Sequence, residues 1–372
     1  MNNKFALYIH IPFCISKCSY CDFCSFVPKN TQMQDYVEAL INEIEQTSKI
    51  YAGQVASVYI GGGTPSVLPL GAITRIMSAV KSNFNLQPNI SITIEANPNS
   101  FDILKAQEYA SAGCNRLSLG LQSHKPEILK VLNRVHNLQD FKNAVNNAVK
   151  VGITNINADV MLGVPNQSLD DLSETLKVLV DLPISHISAY GLICEPNTPL
   201  TKQIECQQLT LPSEDDTVQM YDFAVEFLKK YGFNRYEISN FAKTGFKSVH
   251  NLNYWARGQY LGVGLASHSF MNGTHFQNTQ NLKDYLANPT NSKIDIEKET
   301  IQTAKQETIM LALRTQKGLN INEYNKTFKT NFMQEFEEVL DKLLKNNLIE
   351  IINNHLIIKN LYISNAIIAE FF

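Results

Sequence analysis

The sequence has no apolar run long enough to cross a membrane, because polar or charged residues interrupt every stretch of roughly 18 residues. Its first apolar segment is short and lacks a small-residue cleavage site, so we expect no secretory signal. Blocks of one charge sign are also missing, and the formal net charge of the 372 residues is -3. This balance excludes a protein that holds nucleic acid by charge alone, and we expect no nucleic-acid partner.

Tryptophan occurs once, and the seven cysteines are too few by one to pair completely as disulfides. Four of them, Cys14, Cys18, Cys21 and Cys24, crowd into one short segment. In a chain without an export signal, such crowding is typical of metal binding. Thiolates on a short loop suit an iron–sulfur cluster, and three of them would leave one iron of a four-iron cubane free. Structural zinc, which usually needs a second cysteine pair, and buried cysteines without metal are the alternatives.

Short segments rich in β-branched residues alternate with segments of helical periodicity over the first two thirds of the chain. This alternation predicts an α/β protein with a parallel sheet, and six strand–helix units suit a partial (β/α)6 TIM-like barrel. A doubly wound open sheet stays an alternative. The predicted strands are 5–10, 55–60, 90–95, 116–119, 154–159 and 186–190, and the predicted helices are 36–50, 72–80, 101–110, 138–149 and 169–179.

The pattern changes after about residue 200, and the sequence predicts three regions. They are the barrel at 1–200, an extension at 201–295 with a long helix at 213–230 and a polar linker at 281–295, and a C-terminal domain at 296–372. In the last region, helices at 304–313 and 333–344 precede strands at 348–352 and 355–358, which resembles a winged-helix-like α+β domain. It shows no basic recognition helix, so we expect an interface or a lid.

Polar and glycine residues recur where the predicted strands end. The cysteines follow the first strand, the turn Gly61-Gly62-Gly63-Thr64-Pro65 follows the second, Glu95 ends the third and Asp159 ends the fifth. Because the carboxyl ends of parallel strands meet at one edge, we expect these residues to form one ligand site. Glycines there permit close backbone approach to a small polar ligand, although a glycine triplet alone is more often an ordinary turn.

The spacing Cys-x3-Cys-x2-Cys after a first strand, with a glycine-rich turn after the second, resembles the radical SAM superfamily. The flanking residues, from Tyr8 to Phe23, are similar to the coproporphyrinogen III oxidase-like group and, within it, to the HemW family of heme chaperones. This resemblance covers nearly the whole chain. It implies a [4Fe-4S] cluster on Cys14, Cys18 and Cys21, with S-adenosylmethionine (SAM) bound at the iron that has no thiolate.

Cys24 is expected to lie outside the cluster ligands. In the oxidases of this group the additional cysteine comes one residue after the third ligand, where this chain has Asp22. A packing role for Cys24 and a role in a cluster that bridges a dimer both stay open.

The resemblance also implies residues that contact SAM. Glu95 is expected at its amino end, Arg134 near its carboxylate, which a guanidinium suits, and Asp159 near its ribose. Taken singly, each is equally an ordinary structural polar group. The full expected set is Tyr8, Tyr20, Gly62, Gly63, Thr64, Glu95, Gln122, Arg134 and Asp159.

A second motif, His250-Asn251-Leu252-Asn253-Tyr254-Trp255, contains the single tryptophan. From the residues alone, a buried core histidine beside a packed tryptophan is the more common meaning. The motif is similar to the HNxxYW signature of the HemW family, and the resemblance implies that His250 binds heme. The other seven histidines, including His268, have no comparable surroundings, and we expect them to be structural or exposed.

The resemblance implies a heme chaperone that binds heme and passes it to an acceptor protein. The alternatives are an oxygen-independent coproporphyrinogen III oxidase and, with less support, another radical SAM reaction. Two features favour the chaperone: the Cys-x-Cys pair of the oxidases is missing, and the first predicted strand begins without their longer N-terminal extension. No catalytic residue is assigned. We expect a cytoplasmic protein, and leave open a membrane-bound acceptor, peripheral membrane contact and a homodimer.

Overall fold

The computed structural model describes residues 4–29 and 31–372. Over these residues the strands are β1 (Lys4–Ile11), β2 (Gln54–Gly62), β3 (Asn85–Ala96), β4 (Arg116–Gln122), β5 (Asn155–Leu162), β6 (His186–Gly191), β7 (Asn234–Arg235), β8 (Asn240–Ala242), β9 (Tyr260–Val263), β10 (His268–Met271), β11 (Thr274–Asn278), β12 (Lys293–Lys298), β13 (Leu319–Asn320), β14 (Ile349–Ile352) and β15 (His355–Ile358). The helices are α1 (Gln32–Ile50), α2 (Ala72–Asn83), α3 (Ile103–Ala112), α4 (Pro126–Val131), α5 (Leu138–Lys150), α6 (Leu169–Val180), α7 (Pro199–Glu205), α8 (Glu214–Lys230), α9 (Val249–Trp255), α10 (Leu282–Ala287), α11 (Ile301–Ala312), α12 (Ile321–Phe328), α13 (Phe332–Glu335), α14 (Glu337–Lys345) and α15 (Ser364–Ala369).

Strands β1 to β6 run parallel and lie side by side in chain order. Because this order never reverses, right-handed crossovers place the intervening helices on one face of the sheet. The expected partial (β/α)6 TIM-like barrel is therefore confirmed, and a doubly wound sheet, whose order reverses, is excluded. Beyond β1 the sheet continues through parallel β9 and antiparallel β10, β11 and β12, and beyond β6 it continues through β8 and β7.

The two faces of the parallel sheet differ in chemistry. Val58, Ile60 and Ile94 belong to the apolar core. Tyr59 and Glu95 alternate with them along β2 and β3 and hydrogen-bond to each other, on the opposite face. Apolar residues thus hold the helices, while a polar lumen faces inward.

The first six predicted strands occur in the structure, with ends that extend by a few residues. The polar linker expected at 281–295 is wrong, because the segment contains α10 and the start of β12. Asn281 caps α10 by accepting hydrogen bonds from two backbone N–H groups, and Tyr285 anchors the helix as a fully buried side chain. One buried residue in a polar segment gives too weak a periodic signal to predict a helix.

The C-terminal elements have an apolar core of their own, which includes Leu313, Leu340 and Leu356. Strands β13, β15 and β14 form an antiparallel sheet in that order beside the helices, as expected for a winged-helix-like α+β domain. The single helix predicted at 333–344 is divided into α13 and α14, because the chain leaves helical geometry at Phe336. The division into three regions with the predicted boundaries stays a prediction.

Candidate functional site

The cysteine loop, defined as residues 12–26, leaves β1 and returns beside it. The Cys14 N–H donates to the Phe26 carbonyl at 3.0 Å, and the Phe26 N–H donates to the Pro12 carbonyl at 2.9 Å. Phe13 is fully buried at the base of the loop, with its ring edge-on to Phe26 and Tyr36 at centroid distances of 5.4 and 5.3 Å. The loop therefore has a rigid apolar anchor next to its first thiol.

The far side of the loop docks on the segment that follows α4. Ser19 donates from its backbone N–H to Leu132 at 3.2 Å and from its hydroxyl to the Val131 carbonyl at 2.7 Å. The Asn133 amide donates to the Lys17 carbonyl at 2.9 Å. These bonds fix the backbone between Lys17 and Ser19, and with it Cys18. The sequence did not reveal this support, because α4 is too short to show a helical period.

A cavity of about 340 Å³, the cysteine pocket, lies at the carboxyl edge of the parallel strands. Its size is that of a small-molecule site. All of the predicted site residues except Tyr8 and His250 line this pocket. The predicted residues that line it are Cys14, Cys18, Tyr20, Cys21, Gly62, Gly63, Thr64, Glu95, Gln122, Arg134 and Asp159.

Donors face two of the three thiols in the pocket. The Thr64 hydroxyl donates to Cys14 Sγ at 3.6 Å, and Arg134 Nη1 donates to Cys18 Sγ at 3.3 Å. Burial raises the pKa of the Cys14 and Cys21 thiols. The hydrogen bonds from Thr64 and Arg134 act against burial, because donors to sulfur favour the thiolate that binds iron.

No three His, Cys, Asp or Glu side chains in the described residues are arranged around a single ion. The three thiols instead line one cavity. A cubane takes one thiolate at each iron, so a spaced set of three thiols with open volume beside them fits this group.

Arg134 is held in place on the inner side of the pocket. Its Nη2 donates to Asn97 Oδ1 at 2.8 Å and to the Gly120 carbonyl at 2.9 Å. A Cβ at Gly120 would lie 2.7 Å from Nη2, so a larger residue there would push the guanidinium away from its bonds. The Asn97 amide also donates to Thr64 Oγ1 at 3.2 Å, which links the arginine to the Thr64–Cys14 contact. Asn97 and Gly120 were not among the expected site residues, although each lies two positions from one of them, Glu95 and Gln122.

The glycine turn makes room for the protein's own side chains. A Cβ at Gly61 would lie 2.8 Å from the Glu95 carboxyl group, and one at Gly62 would overlap the His10 ring. Gly62 also has a φ of 110°, in the region that favours glycine. The turn thus allows Glu95 and His10 to approach the backbone beside the pocket.

Two half-buried carboxyl groups lie on the lumen side of the pocket. Glu95 Oε1 accepts from the Tyr59 hydroxyl at 2.6 Å and Oε2 accepts from the Gly62 N–H at 3.2 Å. Burial raises the pKa of Glu95 to about 7, and the negative charge of Asp159 adds to the effect. Burial also raises the pKa of Asp159, whose Oδ1 accepts from the Asn157 amide at 2.7 Å. A bound cation would favour the ionised form of both.

Gln122 and Tyr20 also line the pocket. Gln122 has a φ of 67°, where the β4–β5 register shifts, and its side-chain oxygen accepts from the Tyr190 hydroxyl at 3.1 Å. Backbone strain of this kind is common at ligand sites. Tyr20 packs against the apolar cluster of Leu132 and Met161.

Tyr8 and His250 lie outside the cysteine pocket. The Tyr8 hydroxyl is 3.0 Å from His10 Nδ1. His250 is buried, with Nδ1 at 2.9 Å from Ser57 Oγ and Nε2 at 3.2 Å from the Tyr254 hydroxyl. Burial lowers the pKa of His250 to about 3. Since both ring nitrogens have partners, heme ligation by His250 would require one of these bonds to break, and this role stays a prediction.

Comparison with known families gives two matches. The family model of the radical SAM superfamily matches residues 8–179, which hold the cysteine loop and all the expected SAM residues. The model of the HemN C-terminal domain matches residues 302–359.

Several heme chaperones called HemW are similar over most of the chain. The Bacillus subtilis protein is 32% identical over 92% of both chains, and the Lactococcus lactis protein is 31% identical over 92% of this chain and 90% of its own. The protein of Buchnera aphidicola from Schizaphis graminum is 40% identical over 71% of this chain and 69% of its own. Among solved structures, coproporphyrinogen III oxidase (HemN) of Escherichia coli superimposes with a TM-score of 0.87 over 99% of this chain and 89% of its own, at 23% identity. That identity shows a shared fold alone.

Proposed function

This chain belongs to the HemW family of heme chaperones within the radical SAM superfamily, and we propose that it binds heme and transfers it to an acceptor protein. Its cofactors are a [4Fe-4S] cluster and SAM, and its cargo is heme. The observation that carries the proposal is full-length similarity to heme chaperones in a chain whose cysteine loop opens into a cavity at the carboxyl edge of the sheet.

Cys14, Cys18 and Cys21 would hold the cluster. The two thiol contacts from Thr64 and Arg134 support this assignment, because hydrogen bonds to sulfur stabilise an iron–sulfur cluster and tune its potential. A cluster with SAM bound supplies one-electron reductive cleavage of the sulfonium.

Side chains of the cysteine pocket would orient SAM. Glu95 keeps free lone pairs on both carboxylate oxygens beyond its two bonds, so it can accept from the SAM amino group. Asp159 lies on the same wall and suits the ribose hydroxyls. Arg134 would pair with the SAM carboxylate, since its bonds to Asn97 and Gly120 leave further N–H donors. Gly62, Gly63, Thr64, Gln122 and Tyr20 complete the proposed set, while contact from Tyr8 has no support in the pocket lining.

Several predictions on location and partners stay untested. No helix in the described part of the chain has both the length and the apolarity of a membrane span. A cytoplasmic location, peripheral contact with a membrane, a membrane-bound acceptor and a homodimer are all proposals that rest on the sequence resemblance.

The proposal is tested by heme transfer. The anaerobically reconstituted protein is loaded with heme and mixed with an apo-hemoprotein, and gain of activity by the acceptor is followed. We expect the wild type to transfer heme. The variants Cys14→Ser, Cys18→Ser and Cys21→Ser should lose most of the cluster iron. Cys206→Ser, which changes an exposed cysteine on another segment, should lose none. In a second experiment, the reconstituted protein is incubated with coproporphyrinogen III, SAM and reductant. Multiple turnovers to protoporphyrinogen would contradict the chaperone and favour an oxidase.

A further inference from the structure

A small cavity of about 210 Å³, the outer pocket, has Arg134 in its wall. Its other walls come from α4, from the segment that joins α4 to α5, and from the first residue of α5. Among the described residues, Arg134 alone lines both this cavity and the cysteine pocket. The other residues expected to contact the cluster or SAM do not line the outer pocket, so neither cofactor accounts for it.

The charged side chains in the wall of the outer pocket are positive. Lys130 and Arg134 line it, and no Asp or Glu of the described residues does. Lys130 lies near the end of α4 and forms no ion pair within residues 4–29 and 31–372. Leu138, the first residue of α5, also lines the pocket, and the dipole of this 13-residue helix is positive at that end. These charges favour a negatively charged ligand.

One buried histidine of the outer pocket has a nitrogen without a partner. His136 is 5% exposed, and its Nε2 lies 3.0 Å from the Leu121 carbonyl oxygen. A carbonyl only accepts hydrogen bonds, so Nε2 carries the proton and Nδ1 has a lone pair. No donor within residues 4–29 and 31–372 hydrogen-bonds to this Nδ1. It is therefore available to a donor on a ligand in the pocket.

The second histidine of the outer pocket, His124, has partners at both ring nitrogens. Its Nδ1 lies 2.8 Å from Thr175 Oγ1, and its Nε2 lies 3.4 Å from a Glu174 carboxylate oxygen. His124 is thus held by α6, and the free acceptor of the pocket belongs to His136.

The protonation of His136 restricts which anion fits. Burial and the positive charge of Arg134 lower the pKa of His136 to about 4, although the Leu121 carbonyl and the nearby Asp140 act in the opposite direction. The imidazole is therefore neutral near pH 7 and offers no second N–H to an anion. An oxyanion without a proton would place its lone pair against that of Nδ1. An oxyanion that keeps a proton can donate to Nδ1 and turn its negative oxygens toward the cations.

The Arg134 guanidinium keeps N–H groups for such an anion. Of the five N–H groups of a guanidinium, one here donates to Cys18 Sγ and two donate to Asn97 and Gly120. The remaining N–H groups are the one on Nε and the second on Nη1. An anion in the outer pocket and the SAM carboxylate would therefore share the positive charge of one side chain.

We propose that the outer pocket binds a small oxyanion that keeps a proton at neutral pH, such as hydrogen phosphate or bicarbonate. Its O–H donates to His136 Nδ1, and its negative oxygens face Lys130 and Arg134. This site goes beyond the proposed function, because neither the cluster nor heme requires it. One consequence rests on the proposed contact between SAM and Arg134. Since two anions on one guanidinium repel each other, the bound oxyanion weakens SAM binding, and SAM weakens oxyanion binding by the same factor.

The first test is calorimetric titration of phosphate, bicarbonate and sulfate into the anaerobically reconstituted protein at neutral pH and constant ionic strength. We expect saturable binding of phosphate or bicarbonate, and the two titrations identify which of them the site prefers. Sulfate has the size and charge of phosphate but no proton at this pH, and it should bind on the order of tenfold more weakly. Equal binding of sulfate, or no binding of phosphate and bicarbonate, would overturn the proposal.

Two variants locate the anion. His136→Ala should weaken its binding on the order of tenfold, and the iron content of the cluster reports whether this variant is folded. Lys130→Gln changes an exposed side chain and should weaken binding on the order of fivefold, with a smaller dependence on salt. Lys150→Gln, at the exposed far end of α5, is the matched control and should bind as the wild type does. Wild-type affinity in both His136→Ala and Lys130→Gln would show that the anion binds elsewhere.

Equilibrium dialysis of SAM, with and without the saturating anion, tests the link through Arg134. The anion should weaken SAM binding to the wild type on the order of fivefold and have a smaller effect in His136→Ala. An unchanged SAM affinity in the wild type would overturn this link. Failure of heme transfer would contradict the proposed chaperone function and leave the oxyanion site standing, so the two proposals fail separately.

Discussion

The Glu95 carboxyl group is shielded from water and lies where the SAM amino group is expected to bind. Its carboxyl group receives only two hydrogen bonds, and its pKa of about 7 means that much of it is neutral in the empty pocket below neutral pH. An ammonium group binds the charged form, so the binding of SAM must be linked to loss of a proton from Glu95. Affinity for SAM should therefore depend on pH within the physiological range.

The affinity of the wild type for SAM should fall by up to about tenfold when the pH is lowered from 8 to 6, because Glu95 becomes protonated. Glu95→Gln should bind more weakly at pH 8 and show a flatter profile. Anaerobic equilibrium dialysis at several pH values measures both. The amino group of SAM also titrates, but it does so equally with the wild type and the variant. The difference between their pH profiles of SAM affinity therefore reports on Glu95.

Glu195→Gln serves as the matched control for this profile. Glu195 also lines the cysteine pocket, and its removal should leave the pH profile of the wild type intact. The same pH dependence in Glu95→Gln as in the wild type would contradict a role for Glu95 at the SAM amino group.

Helix α1 is joined to the sheet extension by one buried carboxylate. Glu43 accepts from the Gly264 N–H at 2.7 Å, from the Tyr285 hydroxyl at 2.6 Å and from the Asn278 amide at 2.6 Å. These three donors come from the turn after β9, from α10 and from β11. Burial nevertheless raises the pKa of Glu43 to about 7, so the folded state binds this proton more tightly than the unfolded chain. The contribution of Glu43 to stability therefore falls as pH rises from about 4.5 to about 7 and is constant above that.

Glu43→Gln should lower the free energy of unfolding by about 1–3 kcal/mol at pH 5. The NH₂ group of glutamine cannot accept a hydrogen bond, so one of the three groups that donate to Glu43 loses its partner. The deficit should shrink at pH 7.5, where the wild type carries the cost of a buried charge. Urea unfolding at the two pH values measures this difference. Glu45→Gln, at an exposed position of the same helix, should change stability little at either pH. A deficit that grows with pH would contradict the pKa of Glu43.

The strands and the longer helices of the barrel could be predicted because each carries a strong local pattern. β2 and β5 are rich in apolar residues, and α5 begins with the capping box of Asn137 and Asp140. The short helices α4 and α10 could not be predicted, since six residues do not complete two turns and their positions depend on distant contacts. The split between α13 and α14 likewise depends on tertiary packing at Phe336, whose ring lies 4.9 Å from Phe332 and 5.3 Å from Phe371.

The residues of the cysteine pocket were largely predictable because strand ends converge by topology. Glu95 and Asp159 are separated widely in sequence, yet parallel strands must deliver both to one edge. Asn97 and Gly120 were not predictable, since their function depends on where the Arg134 guanidinium lies.

In the molecule as a whole, the cysteine pocket adjoins a second cavity of about 820 Å³. The cysteine loop forms one wall of each through Lys17, Asp22 and Phe23, and Glu95 with Gly62 stands between them. The Phe23 side chain is 62% exposed, so a ligand that packs on it from either cavity restricts its rotamers. The second ligand then meets a wall that is already ordered, and less entropy is lost when it binds. Because coupling between two binding equilibria is reciprocal, each ligand must change the affinity of the other by the same factor.

Saturating SAM should therefore tighten heme binding, and saturating heme should tighten SAM binding, each on the order of fivefold. The measurement is a pair of equilibrium titrations on the cluster-loaded protein, one for each ligand with the other present or absent. Phe23→Ala removes a side chain common to both walls and should reduce the coupling more than it reduces either affinity alone. Ile50→Ala, an exposed apolar residue at the end of α1, is the matched control and should keep the coupling of the wild type. If heme affinity does not respond to saturating SAM in the wild type, the shared wall does not couple the two ligands and this prediction is wrong.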